Sequence, residues 1–154
     1  MNIFCKIVAL ALVVGLFLSV APGRAGDTAY LDRMARESEI KSIAVVTNVQ
    51  HMGANSDGTF LRVTFRNEYA VTPFTPDSFV GGCKAMENNW QTRSPGMVYF
   101  SPKRGQKVFV TISANGGAIT SFTPLTPQLD AAVRNDPWRI VYRQGHATVP
   151  FSDD

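Results

Sequence analysis

Cysteine and histidine are nearly missing from this sequence, and each shortage excludes a class of protein. There are two cysteines and two histidines in 154 residues. Cys5 precedes an apolar run, Ile7 to Val20, which follows the single charge of Lys6 and ends in Ala21-Pro22-Gly23-Arg24-Ala25. That is the build of a secretory signal peptide cleaved after Ala25, since the run is short for a bilayer span of about 20 residues. Cleavage would leave Cys83 alone, so no internal disulfide can staple the fold. Stability must then come from a packed core, and the 129 residues after Ala25 suffice for one. No cysteine follows the apolar run in the position for lipid attachment.

Excess charge of one sign is also lacking. Removing Lys6 and Arg24 from 15 basic residues leaves 13 against 12 acidic ones, a net charge of +1. With export, that balance excludes nucleic acid as a partner and leaves no integral membrane segment after processing. The chain divides into a signal peptide (1–25), an N-terminal helix (26–40), one β-domain (41–150) and a loose tail (151–154), with no repeat and no low-complexity stretch.

What is present is mostly period-2 alternation. Thr59 to Arg66 places Leu61, Val63 and Phe65 on one face and Phe60, Arg62, Thr64 and Arg66 on the other. Ile43 to His51 pairs with it across the polar turn Gly53–Gly58, with Ile43, Val45, Thr47, Val49 and His51 sharing a face. Gln106 to Ser113 reads as a third strand with one buried face, and Asn115-Gly116-Gly117 turns it into Ala118–Phe122. Val80 to Met86 and Met97 to Phe100 are short strands, and Trp138 to Arg143 is the last. Pro73 and Pro76 make Asn67–Phe79 an edge segment or crossover, anchored by Phe74 and Phe79. Asp27 to Ile40 reads as a helix capped by Asp27 or Thr28, whose narrow apolar face docks on the β-core. Thr126-Pro127 starts a second, short helix.

Val63–Asn67, followed by Ala70–Phe79 and by the turn Pro102–Gly105 before Lys107–Ile112, resembles bacterial extracytoplasmic immunoglobulin-like domains. The resemblance covers about half the mature chain. It implies an all-β, immunoglobulin-like β-sandwich with a short N-terminal helix and a binding or assembly role, with no catalytic residues to carry over. The helical insert at Thr126–Asn135 departs from that pattern. The order of the first hairpin, the stretch around Cys83–Arg93 and the Gly105-led strand paired with Ala118–Phe122 also resembles an OB-type β-barrel of secreted toxin-binding subunits and netrin-like modules. Such secreted barrels usually carry disulfides that this chain lacks.

Four groups of residues are candidates for chemistry. Asn88, Asn89, Trp90 and Arg93 supply an aromatic plate, amides and a cation, the mixture a sugar or other polar ligand needs; against this, Trp90 can fold back to cap the core. Arg62 and Arg66 share one strand face, and Arg139 and Arg143 another. Were the two strands neighbours, four guanidinium groups would form a ladder for an anionic partner; otherwise they are ordinary solvent-facing residues. His51, Met52, Cys83, Met86, Met97 and His146 are of the types that hold copper, but their scatter gives no ligand spacing, and no metal or other cofactor is assigned. Cys83 beside His51 or His146 forms no nucleophile motif, so no catalytic residue is assigned and the chain reads as no enzyme. A buried Cys83 is expected. The resulting expectation is a non-catalytic, periplasmic or secreted interaction module, an accessory of an envelope or secreted assembly with a protein partner. The alternatives are a ligand-binding subunit for sugar or anionic groups and a periplasmic copper carrier.

Overall fold

The computed structural model describes residues 25–151. Apart from Ala25, the expected signal peptide lies outside the described residues, as does the tail beyond Phe151. The elements are α1 (Ala25–Arg36), β1 (Ile40–Asn55), β2 (Gly58–Ala70), β3 (Ser78–Ala85), β4 (Lys107–Ile112), β5 (Ile119–Pro124), α2 (Pro127–Asn135), a single 3-10 turn (Pro137–Arg139), β6 (Val141–Arg143) and β7 (His146–Thr148). The fold is mostly antiparallel β with two short helices. One sheet has the order β3-β2-β1-β4-β5, and β6 and β7 form a separate ribbon.

β1 is the spine, paired with β2 along its length and with β4 over its first six residues. It is long and bulged, with register shifts at Ile43/Ala44, Val46/Asn48 and His51/Gly53. The first shift is taken up by an extra residue on β2, Glu68, and the other two by Thr47 and Met52 on β1, each of which bends β1 and moves its later side chains to the other face. The expected single face from Ile43 to His51 is therefore broken. Ala44, Val46 and Val49 join the inner core while Ile43 points outward into a second one. On the unbulged middle of β2 the alternation holds, and Leu61, Val63 and Phe65 are buried.

The curled sheet wraps the inner core around Phe65, which stacks on Phe79 at 5.3 Å and lies 6.3 Å from Phe122. The second core lies on the outer face, where Leu129 and Val133 of α2 and Ile140 and Tyr142 cover Ile43 and Phe109. β4 is thus buried on both faces, with Val108, Val110 and Ile112 inward and Phe109 outward. The one-faced reading of Gln106–Ser113 is corrected accordingly. Thr126 caps α2 as its sequence predicts, its Oγ1 accepting from Leu129 N at 3.2 Å.

Three further expectations change. α1 ends at Arg36 rather than Ile40, because Ser38 Oγ turns back to donate to Met34 O and Glu39 N already donates to Ser113 O of the sheet. The segment Trp138–Arg143 splits into the 3-10 turn begun by Pro137 and strand β6, which reverses through Gln144-Gly145 at positive φ (49° and 79°) into β7. Phe79 anchors the crossover as expected, but Phe74 is fully exposed at φ 62°, at the tip of a turn that Thr75 Oγ1 closes onto Thr72 O.

The edges of the large sheet approach each other without closing it. Gly82 of β3 makes one parallel bridge to Ala118, with Gly82 N donating to Gly117 O at 2.9 Å and Gly116 N to Val80 O at 2.7 Å. Beyond that point β3 turns to the segment before β4 instead, bridging Lys84 to Tyr99.

Candidate functional site

Antiparallel pairing fixes what stands on the outward side of β2 and β3. Phe60 lies opposite Lys84, and Arg62 opposite Gly82. Inward neighbours Leu61, Val63 and Cys83 are buried, so Phe60, Arg62 and Lys84 must face the other way. The Lys84 ammonium lies 4.8 Å from the Phe60 ring centroid and donates to Asp57 Oδ2 at 3.1 Å. Gly82 contributes no side chain, and a Cβ built there would meet nothing nearer than 3.9 Å. The result is a hollow of about 490 Å³ with a glycine floor, lined by Met52, Phe60, Arg62, Val80 and Gly116. An aromatic plate between two cations is equipped to hold a polar or anionic group.

The loop of Asn88, Asn89, Trp90 and Arg93 begins just past the end of β3. Its shape is set by Gln91, which is 7% exposed. Gln91 Oε1 accepts from Glu87 N (3.0 Å) and Asn88 N (3.1 Å). Its Nε2 donates to Thr59 Oγ1 (2.9 Å) and Asn55 O (3.3 Å). Thr92 N adds a bond to Ser56 O, and Tyr99 OH one to Asp57 O at 2.6 Å. The loop is therefore fastened to the β1–β2 turn with Gln91 turned in. Its neighbour Trp90 is turned out, 60% exposed, rather than folded back as a cap. Asn88, Asn89 and Arg93 are exposed with it, and the Arg93 guanidinium sits 5.1 Å over the Tyr99 ring.

The four arginines are not brought together. Arg62 and Arg66 stand on β2 of the large sheet, Arg139 in the 3-10 turn and Arg143 on β6 of the ribbon. The ladder needed β2 and the last strand as neighbours, and the outer core intervenes. The copper-type residues are dispersed as well. His51 is exposed rather than on the core face, with Nε2 at 3.0 Å from Glu87 Oε2, while His146 sits edge-on to Phe100 with centroids 6.4 Å apart. Among the described residues no three of His, Cys, Asp and Glu gather as a metal site. Cys83 is buried, and desolvation, with the nearby Glu87 carboxylate adding to it, pushes its thiol up to about 12. It is a neutral wall of the core and not a nucleophile. No described helix is long and apolar enough to cross a membrane.

Sequence reasoning passed over Phe60, Lys84, Gly82 and Gln91. A signal for the first three was available: two glycines inside the strand pattern Val80–Met86 mark a close backbone approach, and Phe60 alternates out of phase with the core. Comparison with protein-family models, with curated proteins and with solved structures gives no match to this chain.

Proposed function

We propose that this chain is a non-catalytic, exported binding module on an OB-type barrel, holding a small hydroxyl-rich or anionic ligand on the outward face of β2 and β3 beside the Trp90 loop. Strand order β3-β2-β1-β4-β5, with a parallel contact between β3 and the start of β5, supports the barrel over a sandwich. In that architecture the β2–β3 face and the β1–β2 and β4–β5 loops hold oligosaccharides and oligonucleotides. The near-neutral mature charge turns the reading to sugars. Export rests on the composition of residues 1–25. The observation that carries the proposal is the open hollow with Phe60 between Arg62 and Lys84.

The test is a glycan array on the mature protein, followed by calorimetric titration of the best ligand. Phe60→Ala and Trp90→Ala should each weaken binding at least tenfold with the melting temperature unchanged. A glycan or small anion whose binding is indifferent to both substitutions, or no binding of either class, overturns the reading.

A protein partner as part of a larger assembly is a second reading, favoured by Phe74. This side chain is fully exposed on a turn braced by Thr72 and Thr75. A rigid exposed aromatic is the kind of anchor that fills a partner's pocket. A photo-crosslinking residue at position 74, expressed in the native envelope fraction, should capture one stoichiometric partner; capture of none removes this reading.

A further inference from the structure

A second hollow, of about 570 Å³, shares Phe60, Gly82 and Gly116 with the first and runs from there across the gap between β3 and β5. Its walls are of a different chemistry. Leu31 and Met34 come from α1, Met97 and Phe100 from the segment before β4, and Ile119 from β5. Cys83 belongs to the same wall, and as a neutral thiol it behaves as an apolar group. Lys84 is the one charged residue of the lining, and it stands across from Phe60, which both hollows share.

We infer that the ligand of this module is an anionic amphiphile, its charged head between Lys84 and Arg62 and its single aliphatic chain in the hollow lined by Leu31, Met34, Met97 and Ile119. The inference rests on the reading above that the β2–β3 face binds a small ligand. Four observations carry it. The volume lies within the few hundred to about 1,000 Å³ that enclosed small ligands occupy. The lining is unbranched or flexible at Met34 and Met97, which adapt to a chain better than to a rigid ring system. Charge beside the hollows is net positive: Lys84 is paired with the Asp57 carboxylate but keeps two further ammonium protons, and Arg62 adds an exposed guanidinium with five donors. Phe60 is 47% exposed and Met97 39% exposed, apolar area that an aliphatic chain would cover.

Calorimetric titration of the mature protein with three probes below their micelle concentrations tests this. Dodecanoate has head and chain, butanoate the head alone, and dodecyltrimethylammonium the chain with the wrong charge. Dodecanoate should bind at least tenfold more tightly than either of the others. Met97→Asp, at an exposed rim position, should lose dodecanoate binding at least tenfold while leaving the melting temperature and any glycan affinity unchanged. Lys84→Met should bring dodecanoate and dodecyltrimethylammonium within about threefold of each other. Equal binding of dodecanoate and butanoate, or an unaffected Met97→Asp variant, overturns the chain-binding inference while leaving the polar-face reading standing. Dodecanoate binding that survives Phe60→Ala and Trp90→Ala, with no glycan bound, instead removes the polar-face reading.

Discussion

Removing the Gln91 amide should release the Trp90 loop without unfolding the sheet. Gln91 satisfies two backbone N–H groups of its own loop and reaches Thr59 Oγ1 and Asn55 O across to the β1–β2 turn. A neutral hydrogen bond is worth about 1 kcal/mol net, and a buried group left unpaired costs about 1–3 kcal/mol. In Gln91→Ala the Glu87 and Asn88 amides can turn to water, because both residues are exposed, whereas Thr59, 3% exposed, is left without this partner. The sum is about 2–3 kcal/mol, or roughly 6–12 °C of melting temperature for a domain of this size. Gln91→Met keeps the volume and loses the same bonds, so it should cost nearly as much. The sharper readout is hydrogen exchange. Protection of the Glu87, Asn88 and Thr92 amides should fall by at least tenfold while the Val63 and Val110 amides keep theirs. Ligand affinity should fall as well, although Gln91 itself is turned away from the exposed face. A Gln91→Met variant of full stability would refute the argument, because packing rather than hydrogen bonding would then hold the loop.

Two other perturbations are accessible to the same measurements. The thiol of Cys83 and the phenol of Tyr142 both titrate near 12 in the folded chain, against ordinary values of 9.0 and 10.0, chiefly through burial. Each stays protonated in the folded state while the unfolded chain ionises, so stability is intact below pH 9 and falls by about 1.4 kcal/mol per unit and group, from pH 9 for Cys83 and from pH 10 for Tyr142, up to about pH 12. Cys83→Ala should flatten denaturant midpoints between pH 9 and 10 and leave the Tyr142 slope above that; an unchanged profile would refute the assignment. Phe74→Gly should leave the melting temperature unchanged or raise it by up to about 3 °C. The αL conformation costs an L-residue about 1–2 kcal/mol, part of which glycine returns as unfolded-state entropy, and Phe74 has no packing to lose. A drop of several degrees would mean that Phe74 packs in solution.

What could be read from the chain follows how local each determinant is. Leu61, Val63 and Phe65 were legible because an unbulged strand repeats every two residues, and Thr126-Pro127 because a cap needs only its own helix. The bulges of β1 were not legible: they arise where a 16-residue strand serves β2 on one side and β4 on the other. The two-sided burial of β4 depends on α2 and the β6–β7 ribbon covering Phe109, a contact set by residues 20 to 38 positions later. The Gln144-Gly145 reversal was hidden because glutamine is a poor turn former, and backbone bonding of Gly145 O to Phe122 N helps hold it. The Trp90 loop stands out in the sequence by its residue types, but its exposure hangs on Gln91 reaching Thr59, 32 residues earlier. The basic ladder failed for the same reason in reverse, since periodicity places residues on a face but does not say which strands are neighbours.

The candidate site exists because two adjacent glycines do opposite jobs. Gly81 faces inward, opposite Val63, where a Cβ would lie 2.6 Å from Ile119 Cγ1 and 3.0 Å from Ile112 Cδ1. Only hydrogen there lets β3 come close enough to the far side of the core for Gly82 N to reach Gly117 O. Gly82 faces outward, where a Cβ meets nothing within 3.9 Å, so its missing side chain contributes no packing and leaves the floor of the hollow open. The pair therefore separates fold from function. Gly81→Val should cost about 2–4 kcal/mol by overpacking and loosen the bridge to Ala118, seen as lost melting temperature and lost protection of the Gly82 amide. Gly82→Val should leave stability unchanged or slightly higher, because valine suits a strand better than glycine does. It should nonetheless abolish binding at the β2–β3 face by filling the floor between Phe60 and Arg62. A Gly82→Val variant that binds as well as the parent would mean the hollow is not where the ligand sits, whatever Trp90 contributes.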